Sequence, residues 1–471
     1  MKMKIQVIIE YEDKNTPVVE EAVCLHRGEL VPESLGLTLD EGRTLLEKVQ
    51  ENMVTHQVKQ YIDQNCHCPV CHKELFRKGI HEISFRTLFG HLKLPSPRFY
   101  TCSCDTQGQK SFSPLAQCLP ERTAPEFLYL QSKWASLMSY GLTVDLLEEV
   151  LPLKANISTT QRNTHKVAEK LESELTEEQY FFIEGCERDW ESLPIPEEPL
   201  TVGIDGGYVH GRDEDNRKAG SFEVIVGKSM KGKDDFKRFG FVTSYDEKPK
   251  RRLFETLKSQ GLQMNQRVTF LSDGGDVVRN LQLYMSPQAE HLLDWFHITM
   301  KITVMKQMAK GLSSEKHLEN LEDNFESLKW YLWHGNVFRA LQVIDDIELD
   351  LDVYDEQAAG AKDITKLAKT VREFHSYISA NQDFIPNYGD RYHYGEIIST
   401  AFVESTVNEV ISKRMVKKQQ MRWTKKGAHL LLQVRTKTLN NELQETFHRW
   451  YPAMASAVNS ADALHVPENQ A

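Results

Sequence analysis

The strongest constraint on this chain's architecture is the change of pattern at Thr201. TVGIDGGYVHG (201–211), SFEVIVGKS (221–229) and KRFGFVTSYD (237–246) read as three successive strands. KRRLFETLKSQ (250–260) has helical spacing, and RVTFLSD (267–273) returns to strand. A β-β-β-α-β order opens a mixed α/β domain.

The rest of the chain must be organised around that domain. At roughly 150 residues per domain, 471 residues predict about three domains, or two with a large insertion. Apolar residues make up 40% and charged residues 27%, which excludes collagen-like, mucin-like and wholly disordered proteins. No run approaches the ~18 apolar residues of a membrane span. The start, MKMKIQVIIEYED, reads as a first strand and not as a signal peptide, so a cytoplasmic protein with no membrane partner is expected.

The predicted fold class is multidomain α+β. Residues 1–60 read as a short strand followed by a helix, 61–120 carry clustered cysteines, and 121–183 are helical in pattern. An acidic, proline-bearing linker is expected over 184–200. The α/β domain occupies 201–298, helices fill 299–390, and two long helices are expected within 391–458, at about 393–417 and 424–447. Residues 459–471 form a small, polar tail expected to fray.

Five of the eight cysteines fall between Cys66 and Cys104. Cys68-Pro-Val-Cys71 is followed by thirty residues and then Cys102-Ser-Cys104. A C-x-x-C turn sets two thiolates on one side of a tight loop, and a second pair on a facing loop completes an S₄ site for one structural Zn²⁺. The intervening RTLFGHLKLPSPRFYTC is expected to form a hairpin with a Pro-Ser-Pro turn at 95–97, the layout of a zinc ribbon. Cys66, His72 and His91 are spare candidates, and reduced structural thiols are the alternative.

Between 125 and 182 two helical patterns are separated by PLKANI, with Ser158 or Thr159 as the expected N-cap of the second. Its first turns carry Gln161, Arg162, Asn163 and Lys166, residue types that read base edges and phosphates when a helix-turn-helix enters the major groove. An ordinary antiparallel helix pair is the alternative.

Two acids lie at predicted strand ends, each followed by two glycines: Asp205 with Gly206-Gly207, and Asp273 with Gly274-Gly275. Aspartates on neighbouring strands repel unless cations bridge them. Two Mg²⁺ (or Mn²⁺) ions would remove that repulsion and create a site for in-line phosphoryl transfer. Glu404, in STAFVESTVNEVISKR, is the expected third ligand, whereas Glu409 lies about 140° further round the helix. Asp276 is a rival to Asp273, and turns or caps are the alternative role for such strand-end acids.

The net charge of −11 argues against a passive nucleic-acid coat, so contact with DNA must rest on local basic patches. One such patch follows Glu404. From Val410 to Asn441 there are nine Lys/Arg and no acids, including Lys413, Arg414, Lys417, Lys418, Arg422, Lys425 and Lys426, with Trp423 among them. That is the pattern of a phosphate-tracking surface.

VGIDGGYVHG, FLSDGGD, LLDWFHITMK, LKWYLWHGNVFRAL, AFVESTVNEVISKRM and RWTKKGAHLLLQVRTKTL, in this order, resemble a DDE transposase of a bacterial insertion sequence, most closely the ISKra-type family. The resemblance spans about 60–445. It implies an RNase H-like domain interrupted by an α-helical insertion, with Asp205, Asp273 and Glu404 as the catalytic, metal-binding triad. Asp294 and His297 match the D-x-x-H signature shared with Mutator-like and hAT elements, and His297 would bond Asp294 while facing the scissile strand. A hydrogen-bonded core histidine is the alternative. The implied partners are transposon ends and target DNA, with at least a dimer assembling on DNA. A catalytically inactive DNA-binding regulator and a cellular RNase H-like nuclease are the alternative functions.

Overall fold

A computed structural model describes residues 1–11, 16–104, 110–179, 185–212, 220–232, 234–283, 285, 289–310, 320–357, 362–417 and 421–454. The protein is a mixed α+β chain of two compact units, Met1–Glu169 with Asn441–Ala471, and Lys170–Asn440. The expected tail, 459–471, lies outside the described residues.

The first unit opens with an antiparallel pair, β1 (Lys2–Ile9) and β2 (Val18–His26), followed by α1 (Leu39–Gln64). Only one strand was expected before that helix. β2 alternates half-buried and exposed residues over Val18–Glu21 and loses that alternation over Ala22–Leu25, so it departs from a simple alternation rule. Helix α1 starts at a capping box: Glu41 N–H donates to Thr38 Oγ1, and Thr38 N–H donates to the Glu41 carboxylate. β3 (Arg77–Thr87) and β4 (Gly90–Tyr100) form the expected hairpin, joined by β5 (Ser111–Phe112) and followed by α2 (Pro114–Cys118).

Pro95-Ser96-Pro97 is not a turn; it lies within β4, opposite Glu82, His81 and Ile80. β5 pairs with Phe99 and Tyr100, so among the described residues one edge of β4 has no partner strand at 95–97, and proline is tolerated where an N–H is not needed. Val58 and Ile62 of α1 pack with Ile83, Leu92, Leu94, Phe99 and Cys68 in one small core. Three helices follow: α3 (Pro125–Leu137), α4 (Tyr140–Val150) and α5 (Ile157–Glu174), the last running across the division between units. The α5 N-cap is Asn156 and not Ser158 or Thr159, since its Oδ1 accepts from the N–H groups of both. A short polar side chain one residue ahead of the helix takes the cap because its oxygen reaches the free amides of the first turn.

In the second unit, a short helix α6 (Glu187–Glu191) lies within the expected linker. Then come β6 (Leu200–His210), β7 (Ser221–Lys231), β8 (Asp235–Val242), α7 (Pro249–Lys258), β9 (Val268–Ser272), α8 (Asp276–Leu283) and β10 (Glu290–Leu293). The sheet order is β10-β9-β6-β7-β8. β6, β7 and β8 meander antiparallel, while β9 runs parallel to β6 and β10 parallel to β9. Leu253, Phe254 and Leu257 of α7 and Val278 and Leu281 of α8 cover one face, packing on Val202, Ile204 and Phe270.

Helices α9 (Trp295–Lys310), α10 (Leu321–Trp333), α11 (Val337–Gln357) and α12 (Lys362–Ala380) form a separate apolar core with Ile302, Phe325, Ile344 and Val371 at its centre. The helix expected over 393–417 is broken. α13 (Tyr388–His393) ends before Gly395, whose φ is +75°, and α14 (Ala401–Val407) then passes into a π-helical segment, Asn408–Val416. The second expected helix also breaks. α15 (Lys425–Leu439) stops where Asn441 takes φ +59°, and α16 (Leu443–Trp450) belongs to the first unit. Asparagine is the non-glycine residue best suited to that left-handed stop.

Candidate active site

Sheet register alone brings three aspartates to one level. The last β6–β9 pair is Gly203 with Leu271, and two residues further along each strand stand Asp205 and Asp273. The last β9–β10 pair is Ser272 with Leu293, and one residue beyond each are Asp273 and Asp294. Residues at matched levels of parallel strands point to the same face. That face is the one opposite α7 and α8.

The same face takes α14, and it does so through glycine. A Cβ on Gly203 would lie 2.1 Å from Val403 Cγ2 and 2.7 Å from Phe402 Cζ; one on Gly207 would lie 2.9 Å from Ile411 Cδ1. Gly203 and Gly207 bracket Asp205 in the pleat, so the helix is seated on both sides of that carboxylate. The second glycine after Asp205, Gly207, thus serves close helix packing, while Gly206 faces Glu223 and Ile225 of β7. Gly274 has a different reason to be glycine, since its φ is +82° in the turn after Asp273.

Asp205 and Asp273 each hold one backbone amide: Gly206 N–H donates to Asp205 Oδ1 at 2.7 Å, and Gly275 N–H to Asp273 Oδ1 at 3.0 Å. Burial raises the Asp205 pKa above the ordinary range; the Gly206 amide and His297 oppose the rise, while the charges of Asp273 and Asp294 add to it. These carboxylates are therefore close enough to repel one another.

Asp294 is different. It is fully buried, and both of its oxygens are engaged. Oδ1 accepts from Phe296 N–H at 2.9 Å and Thr400 N–H at 2.8 Å; Oδ2 accepts from His297 Nδ1 at 2.7 Å and from the Thr400 hydroxyl. Those bonds, against the cost of burial, hold its pKa below the ordinary carboxylate range. Expected in the catalytic set, Asp294 has no free face for substrate or metal. Its bonds fix the His297 ring and Thr400, the residue ahead of α14. His297 is raised in turn, chiefly by its bond to Asp294 and further by the charges of Asp205 and Asp273.

Glu404 lies one turn into α14, directly after this Thr400 clasp, and its residue is exposed. Among the described residues it does not join Asp205 and Asp273 in a group with ligand atoms within 4.8 Å. Glu409 faces away, as expected, and pairs with Arg238 at 2.8 Å. Asp276 opens α8 beyond the strand end, also as expected.

No family model matches this chain, and no curated protein matches it.

The four cysteines do meet. Cys68, Cys71, Cys102 and Cys104 place their sulfurs within 4.8 Å of one another, with Cys71–Cys102 at 3.5 Å and Cys102–Cys104 at 3.7 Å. A tetrahedron with Zn–S bonds of about 2.3 Å spaces its sulfurs about 3.8 Å apart, so the donor set fits Zn²⁺. The backbone N–H of Cys104 and the Cys71 thiol lower the Cys102 pKa to about 6. Cys66 turns aside and donates to Asp63 O, and His91 lies out on β4, where burial and neighbouring cations lower its pKa. His72 follows the knuckle in a left-handed conformation, φ +57°.

A second group, Glu172, Asp246 and His429, has metal-ligand spacing. It already contains its cation. Arg252 donates to both oxygens of Glu172, to both oxygens of Asp246 and to Gln433. Burial raises Glu172, but His429 and Arg252 outweigh it and hold the carboxyl at about 2.

The basic stripe is thinner than its sequence. Lys413, Lys417, Arg422, Lys425 and Lys426 are exposed, with Lys417 Nζ donating to Asn408 Oδ1. Arg414 is fully buried, its guanidinium 5.1 Å from the ring of the buried Trp423, and Arg435 is buried and donates to Glu409 O and Val410 O. Arg414 lies four and eleven residues from the buried positions Val410 and Val403 on one helical face, so its place on the helix and not its charge decides its burial. Lys418 lies outside the described residues. In α5, Arg162 and Lys166 are exposed and Gln161 is half-buried. Asn163 does not face outward: it is buried and donates to Gln131 Oε1 at 2.8 Å.

Thr400, Asn381 and Tyr388 also belong to the site's framework, and sequence reasoning passed over them. Arg279 bonds Asn381 Oδ1 and Gly274 O, and Tyr388 Oη donates to Leu293 O at 2.7 Å. The one available signal was Thr400 immediately before an apolar helical run, as a helix-capping position.

Proposed function

We propose that this protein is a DDE-type DNA transposase that cleaves transposon ends and joins them to target DNA. The observation that carries this reading is the convergence of Asp205 and Asp273 on adjacent parallel strands, beside His297, with no cation from the chain bonded to either carboxylate among the described residues. Three antiparallel strands followed by two parallel ones support an RNase H-like domain, and α9 to α12 support the helical insertion between Asp294 and Glu404. The exposed cations of 413–426 and of α5 support DNA as the partner, and the four thiols support one structural zinc in a ribbon-like module.

Asp205 and Asp273 would each offer the oxygen not bonded to glycine, and Glu404 would complete the set. Those residues would hold two Mg²⁺ or Mn²⁺ ions, whose charge would lower the pKa of a bound water or DNA 3′-hydroxyl. Asp294 holds His297 Nδ1, leaving Nε2 to face the phosphodiester, and Thr400 sets the start of the helix that bears Glu404. The exposed position of Glu404 favours one second reading, a DNA-binding regulator without activity. Incubating the full chain with Mg²⁺ and a duplex taken from the genomic sequence flanking its gene separates them. Transposase activity nicks and joins that duplex, whereas the regulator binds it and leaves it intact.

A further inference from the structure

The hairpin that carries the four thiols has a charge opposite in sign to the chain. From His67 to Tyr100 there are six Lys/Arg and two acids, on a chain whose net charge is −11. Lys73, Arg77, Lys78, Lys93 and Arg98 are exposed, and Arg86 is half-buried. Four thiolates around one zinc need none of these cations.

Two of the six are brought together. Lys78 Nζ and Arg98 Nη2 each donate to Ser111 Oγ at 3.3 Å, so the two charges stand within two hydrogen-bond lengths of one another. Strand register does this. Ser111 of β5 lies opposite Tyr100 of β4, and Arg98 is two residues earlier on β4, the diagonal neighbour of Ser111 on that face. Lys78 sits where β3 shifts register between Arg77 and Gly79. Among the described residues neither cation is paired with a carboxylate. Like charges at that spacing repel, and an anion between them removes the repulsion. Ser111 accepts both bonds and keeps its own hydroxyl proton to donate. Exposed rings flank the group. Lys78 Nζ is 5.5 Å from the Tyr100 ring centroid, and Tyr100 N–H donates to the carbonyl of Phe76, whose side chain is also exposed.

We propose that Lys78, Arg98 and Ser111 form a phosphate-binding site through which this hairpin grips the backbone of duplex DNA. The two cations neutralise one phosphodiester, and the Ser111 hydroxyl donates to one of its oxygens. The remaining cations of the hairpin favour a polyanion over a lone phosphate. Such a contact positions the duplex and reads no sequence, since the phosphate is the same at every base. The site lies in the first unit and does not depend on the reading of Asp205 and Asp273.

The test is a Lys78→Gln, Arg98→Gln double variant of the full-length, zinc-loaded protein. Its control is Lys2→Gln, Lys59→Gln, which removes the same charge from exposed positions elsewhere in the unit. Fluorescence anisotropy with the gene-flanking duplex and with one of unrelated sequence gives affinity at several salt concentrations. Expected for the site variant is binding about 10- to 100-fold weaker on both duplexes, with a slope of log K against log salt smaller by about 2. Melting temperature and zinc content should match the wild type. Ser111→Ala should weaken binding about 3- to 10-fold without changing the slope, because a neutral donor releases no counterion. Unchanged binding by the site variant, or an equal loss in the control, overturns the site. Inorganic phosphate that stabilises the wild type but not the site variant, with DNA binding the same in both, makes this a site for free phosphate and overturns the DNA assignment. Binding that depends on Lys78 and Arg98 in a chain that never nicks the gene-flanking duplex upholds this site and counts against the transposase reading alone.

Discussion

Two acidic clusters lie in the same unit and differ in what neutralises them. Glu172 and Asp246 are half-buried around the buried Arg252, which bonds every carboxylate oxygen they present. Asp205 and Asp273 lie at the same level of the sheet, each with a single glycine amide. The first cluster is complete as built, so its role is to hold α5, α7 and α15 together. The second is left with net negative charge, which disfavours folding and favours any divalent cation that enters. Ligand spacing alone would rank the first as the better metal site; the resident guanidinium reverses that order.

Variants at the two clusters should therefore fail in opposite ways. Asp205→Asn and Asp273→Asn should each lower strand cleavage by about a thousandfold or more while melting temperature holds or rises, because repulsion is relieved. Glu404→Gln should also abolish cleavage, and Asp276→Asn and Glu409→Gln should retain it. Gel-based cleavage assays paired with thermal melts read both quantities. A cleaving Glu404→Gln with an inactive Glu409→Gln would place the third ligand on the other side of the helix.

The four thiols provide a third point of comparison, a cluster neutral only with metal. Purified protein should carry about one Zn²⁺ per chain, and Cys71→Ser or Cys102→Ser should lose it and unfold the segment around β3 and β4. Metal analysis and limited proteolysis check this; a folded, zinc-free wild type would count against it.

At the complete cluster the loss should be one of stability. Arg252→Met leaves two half-buried carboxylates without their buried cation and should cost about 2–4 kcal/mol in urea unfolding. Glu172 adds a pH signature. Its folded pKa of about 2 lies below its ordinary 4.5, so its contribution is full above that ordinary value and is lost as pH falls toward the folded one. The stability gap between wild type and Glu172→Gln, on the order of 3 kcal/mol near neutrality, should narrow from about pH 5 down to about pH 2. A gap independent of pH would mean the ion pairs contribute little.

The smallest effect is the most selective. Mg²⁺ at about 100 times its Kd should stabilise the wild type by about 2.7 kcal/mol and leave Asp205→Asn unmoved. Stabilisation of both to the same degree would place the ion elsewhere.

The sequence alone determined those features that depend on near neighbours. Period-2 runs gave β6 to β9, C-x-x-C with C-x-C marked the thiol cluster, and Asp-Gly-Gly at two strand ends singled out Asp205 and Asp273. Residues fixed by distant partners were not legible. Asn163 looks like a base reader until Gln131, thirty-two positions away, takes its amide, and Arg414 looks like a surface cation until packing buries it beside Trp423. Thr400 reaches Asp294 across 106 positions, and Arg252 gathers acids from α5 and from the loop before α7. Propensity and spacing act over one or two turns of chain. Which buried charge finds a partner, and which two aspartates are left without one, is decided only when the sheet register and the helices packed on it bring remote side chains within hydrogen-bond reach.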